Sequence, residues 1–417
     1  MRPLAGGLSS DCAQYNLCLP GSREDVNIQE CGGSSGKTLL LAVILVLMCA
    51  ACDRSAQEGG NSDNDIESIT TGQAGKEEDA SNPGGASVER VEVSTLSTDL
   101  EVPWSFAFLP GGDALVTERD SGRLLRVSPS GDVQEIQTLP EGGSGEGGLL
   151  GVAVSPDYED DRYIYAYYTT RVDNRVVRFR MGGRPEPIVT GIPSNTYHDG
   201  GRIKFGPDGL LYVSTGDAGE SGNSQDLNSL GGKILRIEPD GSIPQDNPFP
   251  GNPVYSYGHR NVEGLAWDLE GQLYASEFGA STWDEVNRIE AGENYGWPAV
   301  EGRGGEDQGY IDPITVWPTS EASPSGAEIM VEGAIPQWEG DLFVAALRGE
   351  RLWRLELSDS GEVVDREKLL DGEVGRVRDV IQAPDGSLWV STSNYDSFGN
   401  PVSEQDDRIL RLAPAGE

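Results

Sequence analysis

The sequence predicts an all-β protein, a six-bladed β-propeller, preceded by a signal segment and a disordered acidic linker. Three observations carry that prediction. A unit consisting of a short apolar strand, a turn with Pro, Asp or Gly and a strand of alternating residues recurs six times between Trp104 and Asn394. The PDG and EGD turns between the alternating runs are hairpin chemistry. No long stretch repeats its apolar residues every 3.6 positions, so helices are not expected to contribute to the core. A pair of β-sandwiches would not need six copies of one unit, whereas a ring of blades does.

The chain begins with a leader. Lys37 precedes the apolar run LLLAVILVLMCAA at 39–51, whose length suits the hydrophobic core of a signal peptide and is short for a membrane span. Small residues and then Cys52 follow, which resembles a bacterial lipoprotein signal and implies a lipidated Cys52 as the mature N-terminus. Cys49 stands where such signals usually carry Leu, and the segment before Lys37 is long for the purpose; a mis-assigned start would account for the length. An ordinary secretory signal or a short anchor is the alternative. Residues 1–52 are thus read as leader. Residues 53–88 are rich in Gly, Ser, Asp and Glu, with too few large apolar side chains to offset the entropy of ordering, and are read as a disordered tether. The propeller domain is assigned to 89–417.

Charge and cysteine content exclude several functions. The chain carries 69 acidic against 31 basic residues, a formal net charge of −38. Phosphate contacts need clustered Lys and Arg, so no nucleic-acid partner is expected. Self-repulsion of this size favours solubility and suits a salt-rich habitat. All five cysteines lie at or before Cys52, so the propeller has no disulfide and no thiolate metal site.

The six units begin at Trp104 (WSFAFLPGGDALVTE), Leu149 (LLGVAVSPDYEDDRYIYAYYT), Gly201 (GRIKFGPDGLLYVSTGD), Val262 (VEGLAWDLEGQLYASEFG), Val331 (VEGAIPQWEGDLFVAALRG) and Val377 (VRDVIQAPDGSLWVSTSN). Four continue into a third strand of common form: GRLLRVSP, GKILRIEP, ERLWRLEL and DRILRLAP. Unequal spacing places long loops at 219–230, 242–255 and 301–327, and loops at one end of a propeller carry its site.

The stretch 195–218, NTYHDGGRIKFGPDGLLYVSTGDA, contains His198, one of two histidines in the chain. Histidine is the side chain best suited to move a proton near neutral pH. His259, in GHRN, is read as a structural turn residue. Together EGGLLGVAVSPDY, HDGGRIKFGPDG, GHRNVEGLAW, the DE–NYGWP pair and RVRDVIQAPDG resemble the soluble pyrroloquinoline-quinone (PQQ)-dependent sugar dehydrogenases, the glucose and aldose sugar dehydrogenases, over roughly residues 96–414.

The resemblance implies oxidation of an aldose sugar at C1 to its lactone. His198 is the implied base, taking the anomeric hydroxyl proton while hydride passes to the quinone. Arg260, Asn261, Arg376 and Arg378 are the implied cofactor contacts, and forked guanidinium groups suit a tricarboxylate. Arg348 stands where the glucose enzyme has lysine, Glu146 where it has glutamine, and Ala280 where it has proline. A calcium ion is implied at the backbone carbonyls of Gly279 and Ala280, and a second, structural calcium near Glu285 and Tyr295. The segment VWPTSEASPSG implies Trp317 stacked on the sugar and Thr319 bonded to the cofactor. The implied partner is an external electron acceptor (quinone, cytochrome or dye), with a homodimer left open, membrane contact only through a lipid anchor and a periplasmic or cell-surface location. Two other readings stay open: a calcium-dependent lactone hydrolase on a six-bladed propeller, and a non-enzymatic propeller that binds glycans or protein.

Overall fold

The computed structural model describes residues 90–416 apart from 141 and 397, together with two strands upstream, Ala13–Leu17 and Val26–Glu30. The chain divides into two units, Met1–Glu67 and Ser68–Glu417. In the first, the two strands pair antiparallel, with Ala13 opposite Glu30 and Leu17 opposite Val26. AQYNL and VNIQE alternate apolar and polar side chains, a strand signature that the leader reading passed over. The apolar run at 39–51, Cys52 and the linker at 53–88 lie outside the described residues.

The second unit is a ring of six four-stranded antiparallel sheets. Blade 1 comprises Pro103–Phe108, Ala114–Glu118, Arg123–Val127 and Val133–Thr138. Blade 2 comprises Leu149–Val154, Ile164–Thr169, Asn174–Phe179 and Glu186–Ile192. Blade 3 comprises Ile203–Phe205, Leu211–Ser214, Lys233–Ile237 and Val254–Tyr257. Blade 4 comprises Val262–Trp267, Leu273–Glu277, Trp283–Ile289 and Thr315–Pro318. Blade 5 comprises Pro324–Ile329, Leu342–Ala346, Arg351–Leu357 and Val363–Leu369. Blade 6 takes Val377–Gln382, Leu388–Thr392 and Ile409–Pro414 from the end of the chain and Val91–Ser97 from the start of the domain, with Leu412 opposite Val93. This pairing closes the ring by joining the first strand of the domain to its last.

The first strands of the blades pack side by side around a central channel, with Leu211–Ser214 making the step from blade 3 to blade 4. Six apolar clusters fill the six wedges between neighbouring blades. The inner strands are buried on both faces, which is why they read as continuous apolar runs. The outer strands of blades 1, 2, 5 and 6 are polar and largely exposed, VQEIQT in blade 1 for example, and gave only a weak sequence signal, whereas those of blades 3 and 4 are mostly buried.

One predicted unit is displaced. The fifth was expected to start at Val331, yet its inner strand is Pro324–Ile329, and 331–335 leads instead into a 3-10 turn at Pro336–Trp338. The predicted loop at 301–327 therefore contains the outer strand of blade 4 and the start of blade 5. PSGAEI hides its strand character because close approach replaces bulk: a Cβ on Gly326 would lie 1.8 Å from Oδ1 of Asp379.

Buried polar groups tie the blades to one another. Arg202, leading into blade 3, donates Nε to the Glu263 carbonyl of blade 4 at 2.8 Å, and Nη1 to Ser105 Oγ of blade 1 and to Asp379 Oδ2 of blade 6, both at 2.8 Å. Its guanidinium also lies 4.2 Å from the centre of the Trp104 ring. Nearby, the buried Asp199 holds the connection between blades 2 and 3: its Oδ1 accepts from Asn174 Nδ2 at 2.9 Å and from the Asn195 amide at 3.1 Å. Burial pushes the Asp199 carboxyl up to about 6.

Two consequences can be measured. Arg202→Met leaves Asp379 buried and unpaired and should lower stability by about 3–5 kcal/mol in denaturant unfolding, with part of the loss recovered by adding Asp379→Asn. For Asp199, the folded-state pKa lies above the unfolded value of about 4, so the folded state holds the extra proton between pH about 4 and about 6. Stability therefore falls as pH rises through that window, by roughly 3 kcal/mol for this group. Asp199→Asn should flatten the unfolding free energy between those pH values.

Candidate active site

Two sets of connections emerge at the same end of the ring: those from the outer strand of one blade to the inner strand of the next, and those joining second to third strands within a blade. Together they enclose a cavity of about 450 Å³ over the channel mouth. The first set supplies Trp104, Glu146, His198, Arg260 and Ser323, with Arg376 and Arg378 at the start of blade 6; the second supplies Arg119, Phe278, Arg348 and Phe398. Six of the residues singled out in the sequence thus meet in one place: Glu146, His198, Arg260, Arg348, Arg376 and Arg378.

His198 is buried and takes a left-handed backbone, φ 62°. Its amide donates to Glu146 Oε2 at 2.7 Å, and its Nδ1 lies 2.6 Å from Asp217 Oδ1. Burial opposes ionisation of Asp217, but hydrogen bonds from His198, from Trp297 Nε1 at 2.9 Å and from the Gly219 amide at 2.7 Å outweigh it and hold the carboxyl below the usual range. An ionised Asp217 accepts only, so Nδ1 of His198 carries the proton and the lone pair sits on Nε2. Burial, and then the nearby Glu263, push the Glu146 carboxyl up.

The arginines divide into two kinds. Arg376 and Arg378 are neutralised from behind. Asp396 Oδ2 accepts from Arg376 Nη2 at 2.9 Å and from Arg378 Nη2 at 3.4 Å, while Glu263 Oε2 accepts from Arg378 Nη1 at 2.9 Å. Arg260 and Arg348 have no acidic partner within ion-pair distance among the described residues. The Nε atoms of Arg260 and Arg378 are buried without a hydrogen-bond partner. This donor set is suited to an anion.

The remaining predicted residues lie elsewhere. Asn261 is fully buried beside the cavity, its Oδ1 accepting the Gly200 amide at 2.9 Å and its Nδ2 donating to Glu263 at 3.2 Å, so it braces the wall. Trp317 is not brought to the cavity: it is 1% exposed in the wedge between blades 4 and 5, with its ring centre 5.5 Å from that of Trp353. The expected sugar stack does not fit that placement. Thr319 follows the outer strand of blade 4, half-buried, and does not line the cavity. Gly279 and Ala280 form the turn after Phe278. Glu285 is buried beneath that turn, bonded to Asn287 Nδ2 at 2.9 Å and the Gly302 amide at 3.1 Å, and burial pushes its carboxyl well up. The Tyr295 hydroxyl is taken by the Arg288 carbonyl and the Glu290 amide, both at 2.8 Å. His259 is structural, held between Ser256 and Glu277 at 2.8 Å each and stacked on Tyr295.

Asp217, Arg119, Trp104 and Glu263 were missed. The signal was positional. Arg119, Phe278 and Arg348 fall within two residues of the end of the second strand of their blades, and Asp217 within three, so aligning the units on that strand would have drawn them together.

A sequence-family model described as Glucose / Sorbosone dehydrogenase matches residues 100–398. Among solved structures, the PQQ-bound form of aldose sugar dehydrogenase (Adh) from Streptomyces coelicolor is 49% identical with a TM-score of 0.72, covering 78% of this chain and 98% of that one. Aldose sugar dehydrogenase YliI of Escherichia coli (strain K12) is 30% identical over 362 residues, 78% of this chain and 93% of its own length. Quinoprotein glucose dehydrogenase B of Acinetobacter calcoaceticus is 29% identical over 432 residues, 78% of this chain and 89% of its own. With the family match spanning most of the propeller and relatives aligned over nearly their whole lengths, the chain belongs to the glucose/sorbosone dehydrogenase family.

Proposed function

We propose that this protein oxidises an aldose at C1 to the corresponding lactone, using PQQ held with calcium in the arginine-lined cavity and passing electrons to an external quinone, cytochrome or dye. The observation that carries the reading is the pair of unneutralised arginines, Arg260 and Arg348, with the orphaned Nε atoms of Arg260 and Arg378, in a site where His198 also presents a free nitrogen. Arg348 is exposed and Arg260 half-buried, so solvent bears part of their charge; the buried, unpartnered Nε atoms of Arg260 and Arg378 are the donors that an anion would satisfy. A planar tricarboxylate meets those forks in charge and geometry. The PQQ-bound relative supports the choice of anion.

PQQ, when bound, supplies the quinone that accepts hydride from the sugar. The chain's residues do the rest. His198 Nε2 accepts the anomeric hydroxyl proton, and the imidazolium that results lies against ionised Asp217. Asp217 also fixes the ring, because its own position is set by Trp297 and Gly219. Glu146 holds the His198 backbone. The Gly279 and Ala280 carbonyls, with no donor against them among the described residues, are hard oxygens of the kind calcium takes. A second calcium is proposed beside Glu285, where the orphaned Asn287 Oδ1 adds an oxygen. Export to the periplasm or cell surface, with a lipid anchor at Cys52 readable by detergent-phase partitioning, completes the proposal.

His198→Ala should lower kcat by about 10²- to 10⁴-fold, the usual contribution of a positioned base, with PQQ affinity unchanged. Activity within about threefold of wild type would remove His198 from that role. Arg260→Ala should weaken PQQ binding by about 2–4 kcal/mol, read by titration of quinone absorbance in the presence of Ca²⁺. Wild-type protein without saturable PQQ binding would overturn the reading.

A further inference from the structure

The turn at 279–283 is held by a carboxylate from another loop. Glu301 Oε1 accepts four consecutive backbone amides: Ala280, Ser281 and Thr282 at 2.8 Å each and Trp283 at 3.1 Å. No other carboxylate oxygen among the described residues gathers four successive amides in this way.

Peptide geometry then fixes the carbonyls. In a trans peptide the N–H and C=O point in opposite directions. The amide of Ala280 shares its peptide with the Gly279 carbonyl, and the amide of Ser281 shares its peptide with the Ala280 carbonyl. Because both amides point at Glu301, both carbonyls point away from it. Neither is taken by a donor among the described residues. The curl is tight enough that a Cβ on Gly279 would lie 1.6 Å from the Trp283 carbonyl oxygen. Asp284 fastens the turn to the cavity wall, accepting the Gly279 amide at 2.9 Å and the amide of wall residue Ser323 at 2.6 Å.

We infer that Glu301 is a positioning residue for a divalent cation: it aims the Gly279 and Ala280 carbonyls outward as a preformed pair of hard oxygen ligands and polarises them through their own amides. The inference rests on the reading above that these carbonyls hold the calcium that accompanies PQQ. A negative charge hydrogen-bonded to an N–H draws electron density toward the carbonyl oxygen of the same peptide, so the oxygens become better ligands for a cation. Two uncharged carbonyls alone are a weak site; with Glu301 and Asp284 behind them, the turn carries the negative charge that a divalent ion needs without placing a carboxylate against an anionic cofactor. Partners one layer out from the ligands commonly set metal affinity by about 10- to 100-fold.

The test titrates Ca²⁺ into apo-protein at fixed, excess PQQ and reads bound PQQ by quinone absorbance. Glu301→Gln, which keeps shape but removes the charge, should raise the half-saturating Ca²⁺ by about tenfold or more, and Glu301→Ala by at least as much. Glu339→Gln is the matched control. Glu339 caps a blade 5 turn through the Glu332 and Gly333 amides, and its loss should leave half-saturation within about twofold. Half-saturation within about twofold of wild type in both Glu301 variants would overturn the inference, as would an equal shift in Glu339→Gln. If Glu301→Ala does not fold, Glu301→Gln decides alone. Wild-type protein with no calcium-dependent PQQ binding overturns the parent reading, and that outcome appears before any variant is compared.

Discussion

The buried guanidinium of Arg202 is the constraint on which the ring and its site both depend. It enters from blade 3 and makes contact with blades 1, 4 and 6, so four of the six blades share one cation. It also lines the channel beneath the cavity, with Trp104 stacked on it and facing the cavity on its other side. A propeller is otherwise a set of wedges held by apolar packing, which is non-directional. A hydrogen-bonded charge at the axis adds direction: it fixes which strand lies where and sets the depth of the floor.

The site above that floor inverts the character of the rest of the molecule. A chain of net charge −38 gathers five arginines around one cavity. Three of them have acidic partners: Arg119 pairs with Asp120, Arg376 with Asp396, and Arg378 with Asp396 and with Glu263, which itself lines the cavity. The two without acidic partners give the cavity its positive character. His198 lies in the same enclosure bonded to its own anion, Asp217, which accepts from Trp297, and the face of that indole packs against Arg260.

Much of this was legible in the sequence, for identifiable reasons. Apolar runs and PDG turns revealed the first two strands of most blades, which are buried on both faces, and alternation revealed several of the half-buried third strands. Outer strands such as Glu186–Ile192 were obscure because solvent tolerates any side chain there. The inner strand of blade 5 was misplaced because Gly326 trades apolar bulk for close approach to Asp379. At the site, HDGGR and RVRD exposed His198, Arg376 and Arg378. Asp217 was marked only by its position just after the second strand, because its partnership with His198 comes from the inner hairpin of blade 3 folding back on itself. Trp317 was assigned to the sugar, yet the register with Asp284 turns it into the wedge beside Trp353.

The strand that completes blade 6 has a consequence for how the protein is made. Val91–Ser97 is the first piece of the domain to be synthesised, and its partner, Ile409–Pro414, is the last. The sheet that seals the ring therefore cannot form until the whole chain is present, and the contact spans nearly the full sequence of the domain, the costliest kind of loop to close. A chain that stops short of 409 keeps an unpaired strand at one end and an open edge at the other. Such a fragment cannot pass as finished, and proteases and chaperones that inspect exposed strands can distinguish it from the completed product.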